Sequence, residues 1–238
     1  MNHPYDLKNI EPIKALEDIY NYINKNNFKI NKLVVVTKTH SHHLLQLLYD
    51  YGHRDFGENR YQEARDKFPL VKIKPESPII GHHIGPLQSG SARNIPDIFD
   101  WVHGVGSWHA LKKLANASLK KYQLTQKKIY YLIQLNLTRE TTKLGGMYLE
   151  EFEEAINKNP ELIVENEGLV WKGFMTMGPS NGDLYITRKI FQQLRNIRDK
   201  YLPEGELSMG MSGDWKIALE EGSTILRIGS AITGNRKY

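Results

Sequence analysis

The chain has 238 residues, a formal net charge of +5 and no cysteine, which excludes disulfides and thiolate chemistry. Apolar residues make up 40%, enough for a sizeable core, and no run is long and apolar enough to span a membrane. The lysines are scattered, as in Lys112-Lys113, Lys120-Lys121 and Lys127-Lys128, with no basic tract, zinc-finger or aromatic RNA-binding signature. A solvated basic surface is therefore expected, with no nucleic-acid or membrane partner, and a small phosphorylated ligand also suits the charge. The start, Met1-Asn2-His3-Pro4-Tyr5-Asp6, lacks the basic-then-apolar layout of a signal peptide, so a cytoplasmic protein is expected. On that footing the glycosylation-like triplets at Asn116 and Asn136 are read as chance.

In chain order, residues 6–27 read as a helix, with Ile13, Leu16, Tyr20 and Ile23 at helical spacing. The first strand is Lys32–Thr37. Ser41 then caps a helix carrying Leu44, Leu45 and Leu48. Short strands follow at Arg54–Phe56, Pro78–His82 and Trp101–His103, and Gly104-Val105-Gly106 reads as a tight turn. Ser107 caps a helix bearing Trp108, Leu111, Leu114 and Ala115. Lys128–Leu135 is the clearest strand, an almost unbroken apolar run. A helix over 148–158, a strand at Val170–Thr176 and a long amphipathic helix from Ile186 to Tyr201 come next. Glu206–Met209, a helix over Asp214–Glu221 ended by Gly222, and Thr224–Ile228 complete the set.

About eight strands alternating with helices favour an α/β fold, a single (β/α)8 barrel preceded by an extra helix. An open doubly wound sheet is the rival, but Thr37-Lys38-Thr39 follows the first strand where that fold usually has a glycine fingerprint. About ten residues follow the eighth strand, so one domain over 1–238 is expected.

In such a barrel, reactive groups collect where strands end. Those positions are Lys38, Asn59, His82, Asn136, Thr176, Ser208 and Arg227. Most lysines that leave a strand only reach solvent. Here the strand fixes the stem of Lys38, and an apolar wall would favour its neutral amine, as condensation with a carbonyl requires. The small-residue turn Ile228-Gly229-Ser230-Ala231 lets an anion approach backbone N–H groups, and Ser208-Met209-Gly210-Met211-Ser212 adds hydroxyls. Read singly, each is an ordinary turn. His40, His42 and His43 have no carboxylate or cysteine motif spaced to complete a metal site, so no metal is expected. His103 and His109 read as loop or helix-end residues, and Trp101, Trp108 and Trp171 as core packing.

Lys38, Phe56-Gly57-Glu58-Asn59 with Gln62-Glu63, and His82-His83-Ile84-Gly85-Pro86-Leu87-Gln88-Ser89 form an ordered set of motifs. Gly173-Phe174-Met175-Thr176-Met177, Leu207–Ser212 and Gly222–Gly234 extend it. From about residue 30 onward the chain resembles the YggS/PROSC family of pyridoxal phosphate homeostasis proteins. The resemblance implies a barrel like the N-terminal domain of alanine racemase (fold type III), binding pyridoxal 5′-phosphate. It implies that Lys38 condenses with the cofactor aldehyde and that Arg227 faces the pyridine nitrogen. Ser208, Gly229 and Ser230 would hold the phosphate, Asn59 would lie close by, and His82 would line the pocket. Lys143 matches a family lysine without an assigned role beyond attracting anions. Gly81, His83, Arg60-Tyr61, Ser230 and Thr233 depart from the family pattern and raise the question of pocket shape.

A permanently charged arginine at the pyridine nitrogen weakens the ring as an electron sink, and no acid–base partner stands out beyond candidates such as His82. The expectation is a monomeric carrier or regulator with no catalytic residues, which hands its cofactor to apoenzymes. The alternatives are a small pyridoxal phosphate enzyme, such as an amino-acid racemase, or a Schiff-base aldolase.

Overall fold

The computed structural model describes residues 11–140, 145–163 and 165–234. Eight strands form a closed, all-parallel barrel in sequence order. They are β1 (Lys32–Val36), β2 (Asp55–Glu58), β3 (Ile80–Pro86), β4 (Trp101–Val105), β5 (Ile129–Gln134), β6 (Leu169–Met175), β7 (Glu206–Ser208) and β8 (Ile225–Ile228). The seam closes with β1 beside β8, Val34 opposite Arg227 and Val35 opposite Ile228. The open-sheet alternative is therefore excluded.

The helices are α1 (Glu11–Lys25), α2 (His42–Tyr51), α3 (Tyr61–Lys67), α4 (Trp108–Thr125), α5 (Leu149–Lys158), α6 (Leu184–Tyr201), α7 (Trp215–Glu220) and α8 (Ser230–Thr233). α8 has only four residues, and α1 packs against it and against α2, covering the seam that α8 is too short to cover. Ile13, Leu16, Ile19 and Ile23 form the buried stripe that docks α1. Ser41 and Ser107 do precede α2 and α4, but neither side chain makes a capping bond; Asp183 does cap α6, accepting from the N–H groups of Tyr185 and Ile186.

Strand alternation explains both layers. Leu33, Val35, Phe56, Val102, Tyr131, Ile133, Phe174, Leu207, Leu226 and Ile228 join the core under the helices. Val34, Trp101, Leu132, Met175 and Ile225 form a smaller separate cluster. Alongside that cluster the barrel carries fully buried polar groups, His82, His103 and Ser208 among them. Gly104 belongs to β4 and is no turn residue. A Cβ there would lie 2.0 Å from the carbonyl oxygen of Gly85, so the two strands approach this closely only because residue 104 is glycine; a Cβ on Gly85 would instead meet the Asn59 carbonyl oxygen, at 2.4 Å. The β3–β4 register shifts at this point, between His83 and Pro86.

Among the described residues, no helix is long and apolar enough to cross a membrane.

Candidate functional site

A cavity of about 510 Å³ opens at the strand C-terminal ends, within the span of roughly 300–1,000 Å³ common for small-molecule sites. Lys38, Asn59, Arg227, Gly229 and Ser230, far apart in sequence, all line it. Val36, Ile84, Met175, Met177 and Met211 supply its apolar wall.

Lys38 follows β1 in a turn whose two flanking residues are tied down. The Thr37 carbonyl accepts from Lys67 Nζ at 2.8 Å, and Thr37 Oγ1 donates to Glu58 Oε1 at 2.7 Å. Thr39, at φ +67°, donates its N–H to Glu63 Oε1 at 2.5 Å. A β-branched residue in that region is strained unless its surroundings hold it. Lys67 closes the cluster, with its ammonium 2.7 Å from Glu58 and 2.8 Å from Glu63. Burial pushes the Glu58 carboxyl up despite Lys67 and Thr37, whereas Lys67 and the Thr39 N–H outweigh burial at Glu63 and bring it down. The Glu63–Lys67 spacing of four residues on α3 was the available sequence signal for this clamp.

On the neighbouring strand β8, Arg227 is nearly buried, yet part of it reaches the cavity. It donates to Ser208 Oγ at 2.5 Å and to the Thr176 carbonyl at 3.0 Å. Burial lowers its guanidinium to about 10, which leaves it charged at neutral pH. The turn after β8 brings Gly229 and Ser230 beside Ser212, whose hydroxyl accepts from the Ala231 N–H at 3.1 Å. A Cβ on Gly229 would meet nothing closer than 3.5 Å, so the turn is open rather than filled by protein. Hydroxyls, open backbone and an amine sharing one cavity fit a small molecule with an anionic end and a carbonyl.

Two expected lining residues lie elsewhere. Ser208 is fully buried beneath the cavity, its hydroxyl engaged by Arg227 and His103; Ser212 takes the place expected for it on the wall. His82 is also fully buried, because β3 continues to Pro86 and its end is marked by Ile84, Gly85 and Pro86. It contacts Asp55 and His103 and does not line the cavity. His103 is neither loop nor helix end but the middle residue of β4, fully buried. Asn136 bonds within its own loop, to the Glu140 carbonyl, and Thr176 Oγ1 donates to the Leu135 carbonyl. Lys143 lies outside the described residues.

Gln134, which ends an apolar run and so reads as core, lines the cavity with a buried Oε1 that has no hydrogen-bond partner among the described residues. His40 is also on the wall; among the described residues no three metal-ligating side chains cluster. The departures at Gly81 and His83 do not reshape the cavity. Gly81 backs onto Phe68 and the Ile98 carbonyl, where a Cβ would come within 2.9 Å, and His83 packs edge-on to Phe99. Thr233 does line the cavity.

Residues 13–237 match the family described as alanine racemase, N-terminal domain. The pyridoxal phosphate homeostasis protein of Vibrio alginolyticus is 35% identical over 215 residues, covering 87% of each chain. That of Escherichia coli K12 is 30% identical over 210 residues, covering 87% of this chain and 86% of its own. PipY of Synechococcus elongatus, solved with PLP bound, superposes with a TM-score of 0.78 at 27% identity, covering 93% of this chain and 99% of PipY. An alanine racemase of Clostridium difficile shares the fold, at a TM-score of 0.69 and 13% identity, covering 96% of this chain and 57% of the racemase. The chain belongs to the alanine racemase N-terminal-domain family, in its branch of pyridoxal phosphate homeostasis proteins.

Proposed function

We propose that this cavity binds pyridoxal 5′-phosphate and that the protein serves intracellular pyridoxal phosphate homeostasis as a carrier or regulator. One observation carries the reading: Lys38 and the open turn at Gly229 and Ser230 face one cavity, with Arg227 on the same wall. When bound, the cofactor supplies an aldehyde that condenses reversibly with a lysine amine and releases water. Lys38 provides that amine, held by the fixed carbonyl of Thr37 and N–H of Thr39. Gly229, Ser230 and Ser212 bind the phosphate through backbone N–H and hydroxyl groups. Arg227, charged and able only to donate, would face the ring nitrogen and keep it unprotonated. Asn59 and Gln134 supply polar contacts along the ring.

Holding fits this site better than turnover, because His82, the foremost acid–base candidate in the sequence, is sealed from the cavity. The protein works in the cytoplasm as a monomer and releases its cofactor to apoenzymes. Purified protein should absorb visibly, and borohydride should fix the cofactor mass on the peptide containing Lys38. Lys38→Ala should lose both signals while keeping the circular dichroism of the fold. A colourless protein unmodified after incubation with pyridoxal phosphate and borohydride would end the reading. His40 is on the wall, so amino-acid turnover abolished in His40→Ala would favour a small enzyme instead.

A further inference from the structure

A continuous file of side chains crosses the barrel interior beneath the cavity. Arg227 Nη1 lies 2.5 Å from Ser208 Oγ, which is 2.8 Å from His103 Nδ1. His103 Nε2 is 3.0 Å from His82 Nδ1, and His82 Nε2 is 2.9 Å from Asp55 Oδ1. Lys32 Nζ meets the same oxygen at 2.8 Å. The file links the cavity wall on β8 to the opposite end of the barrel through β7, β4, β3 and β2.

We propose that His103 and His82 are positioning residues for Arg227, both held as neutral Nε2–H tautomers in a one-way chain of hydrogen bonds ending on Asp55. A guanidinium can only donate, so Ser208 Oγ accepts from it. The single hydroxyl hydrogen is then left for His103 Nδ1, which accepts it when bare. His103 Nε2 therefore carries hydrogen and donates to His82 Nδ1. His82 Nε2–H is left to donate to the Asp55 carboxylate. In this arrangement every contact pairs one hydrogen with one lone pair. The reversed arrangement of neutral rings would set the His82 Nε2 lone pair against the carboxylate.

The groups around the file favour the same state. Lys32 on β1 and Asp55 on β2 form an ion pair at its far end, and burial pushes both imidazoles down, away from the charged form. Arg227 stands at its near end, and Trp101 on β4 stacks on His82 at 6.0 Å between centroids. The chain fixes where Nη1 of Arg227 points, and so where its remaining N–H groups face the cavity. The role toward the cofactor rests on the proposed function; the tautomers do not.

The test uses the full chain. In ligand-free protein with ¹⁵N-labelled histidine, long-range ¹H–¹⁵N spectra at neutral pH should show His82 and His103 both as Nε2–H. An Nδ1–H tautomer or an imidazolium at either residue overturns the chain. Ser208→Ala removes the hydroxyl link and should erase the His103 tautomer preference. With pyridoxal phosphate loaded, it should shift the visible absorption maximum and speed release roughly ten-fold, the scale of one hydrogen bond to a charged group. Ser208→Thr, which keeps the hydroxyl, should restore both. Leu194→Ala, which opens the outer core under α6 rather than the barrel interior, should move neither. If Ser208→Ala releases ligand and absorbs as the unmodified protein does, positioning fails and the binding reading stands. An unmodified protein that takes up no pyridoxal phosphate defeats the binding reading and the positioning role together, while the spectra still decide the tautomers.

Discussion

Lys38 and Arg227 face the same cavity, but the protein holds them by opposite means. Lys38 is fixed through its backbone by a charged cluster, Glu58, Glu63 and Lys67, bonded to the residues on either side. Arg227 is fixed through its head by neutral groups, Ser208 and the Thr176 carbonyl, backed by two imidazoles. The difference matches what each must do. A lysine that bonds and releases an aldehyde needs a placed stem, with no second cation competing at its amine. An arginine that only donates needs a fixed fork, and a neutral backing leaves its charge available to the cavity.

The charged side should break most severely. Lys67→Met deprives Glu58 and Glu63 of their shared ammonium, with Glu58 fully buried. Removing one partner of such a pair costs about 3–5 kcal/mol. Urea unfolding should show that loss, and what folded protein remains should load pyridoxal phosphate poorly. A loss below about 1 kcal/mol, the range of exposed ion pairs, would mean the cluster does not hold the Lys38 turn.

The neutral side should break with acid. Burial pushes His53 and His83 down to about 4, and lowers His82 and His103 in the same direction. Folded imidazoles that bind protons less readily than unfolded ones lose stability as pH falls below the unfolded value of about 6.5. At pH 5.5, His53 and His83 alone should cost roughly 3 kcal/mol together, with the barrel pair adding to it. Glu58 runs the other way, because its raised carboxyl costs stability as pH rises above the ordinary carboxylate range. Melting temperatures from pH 7.5 to 5.5 should therefore fall steadily. A flat profile would mean that the buried imidazoles bind protons as readily as they do in the unfolded chain, and a rise on acidification that they are already charged at neutral pH.

These two backings differ in how legible they were. The strand order, Lys38, Arg227 and the Gly229-Ser230 turn could be read because each sits at the end of an apolar run. The polar run His82-His83 reads locally as a strand exit, although β3 continues through it to Pro86. Inside a barrel, polar residues can pair with one another across strands, and a local window cannot distinguish that from exposure. Ser208 was misplaced for the same reason, since β7 has only three residues and its last one still points inward, to Arg227 and His103. Of the Lys38 clamp, only the Glu63–Lys67 spacing is local. Its contact with Thr37 joins residues thirty positions apart.

Glu58→Gln sharpens the comparison with a smaller effect. It removes a buried charge while keeping an oxygen for Thr37 Oγ1 and Lys67, and Glu63 still balances the ammonium. Stability at neutral pH should change by less than about 1 kcal/mol, and the loss on raising pH should flatten. A large destabilisation would show that the charge itself, rather than the bonded geometry, holds the turn.

Gln134→Leu should have the smallest effect on the fold and the most selective effect on the ligand. Its Oε1 is buried on the cavity wall without a partner among the described residues, so removing the amide relieves an unsatisfied group. The melting temperature should hold or rise slightly, while the affinity for pyridoxal phosphate falls a few-fold, by about 1 kcal/mol, as for a single hydrogen bond. Equilibrium titration beside thermal melts separates the two. If affinity and melting temperature moved together, Gln134 would be packing for the barrel mouth and would have no part in holding the ring.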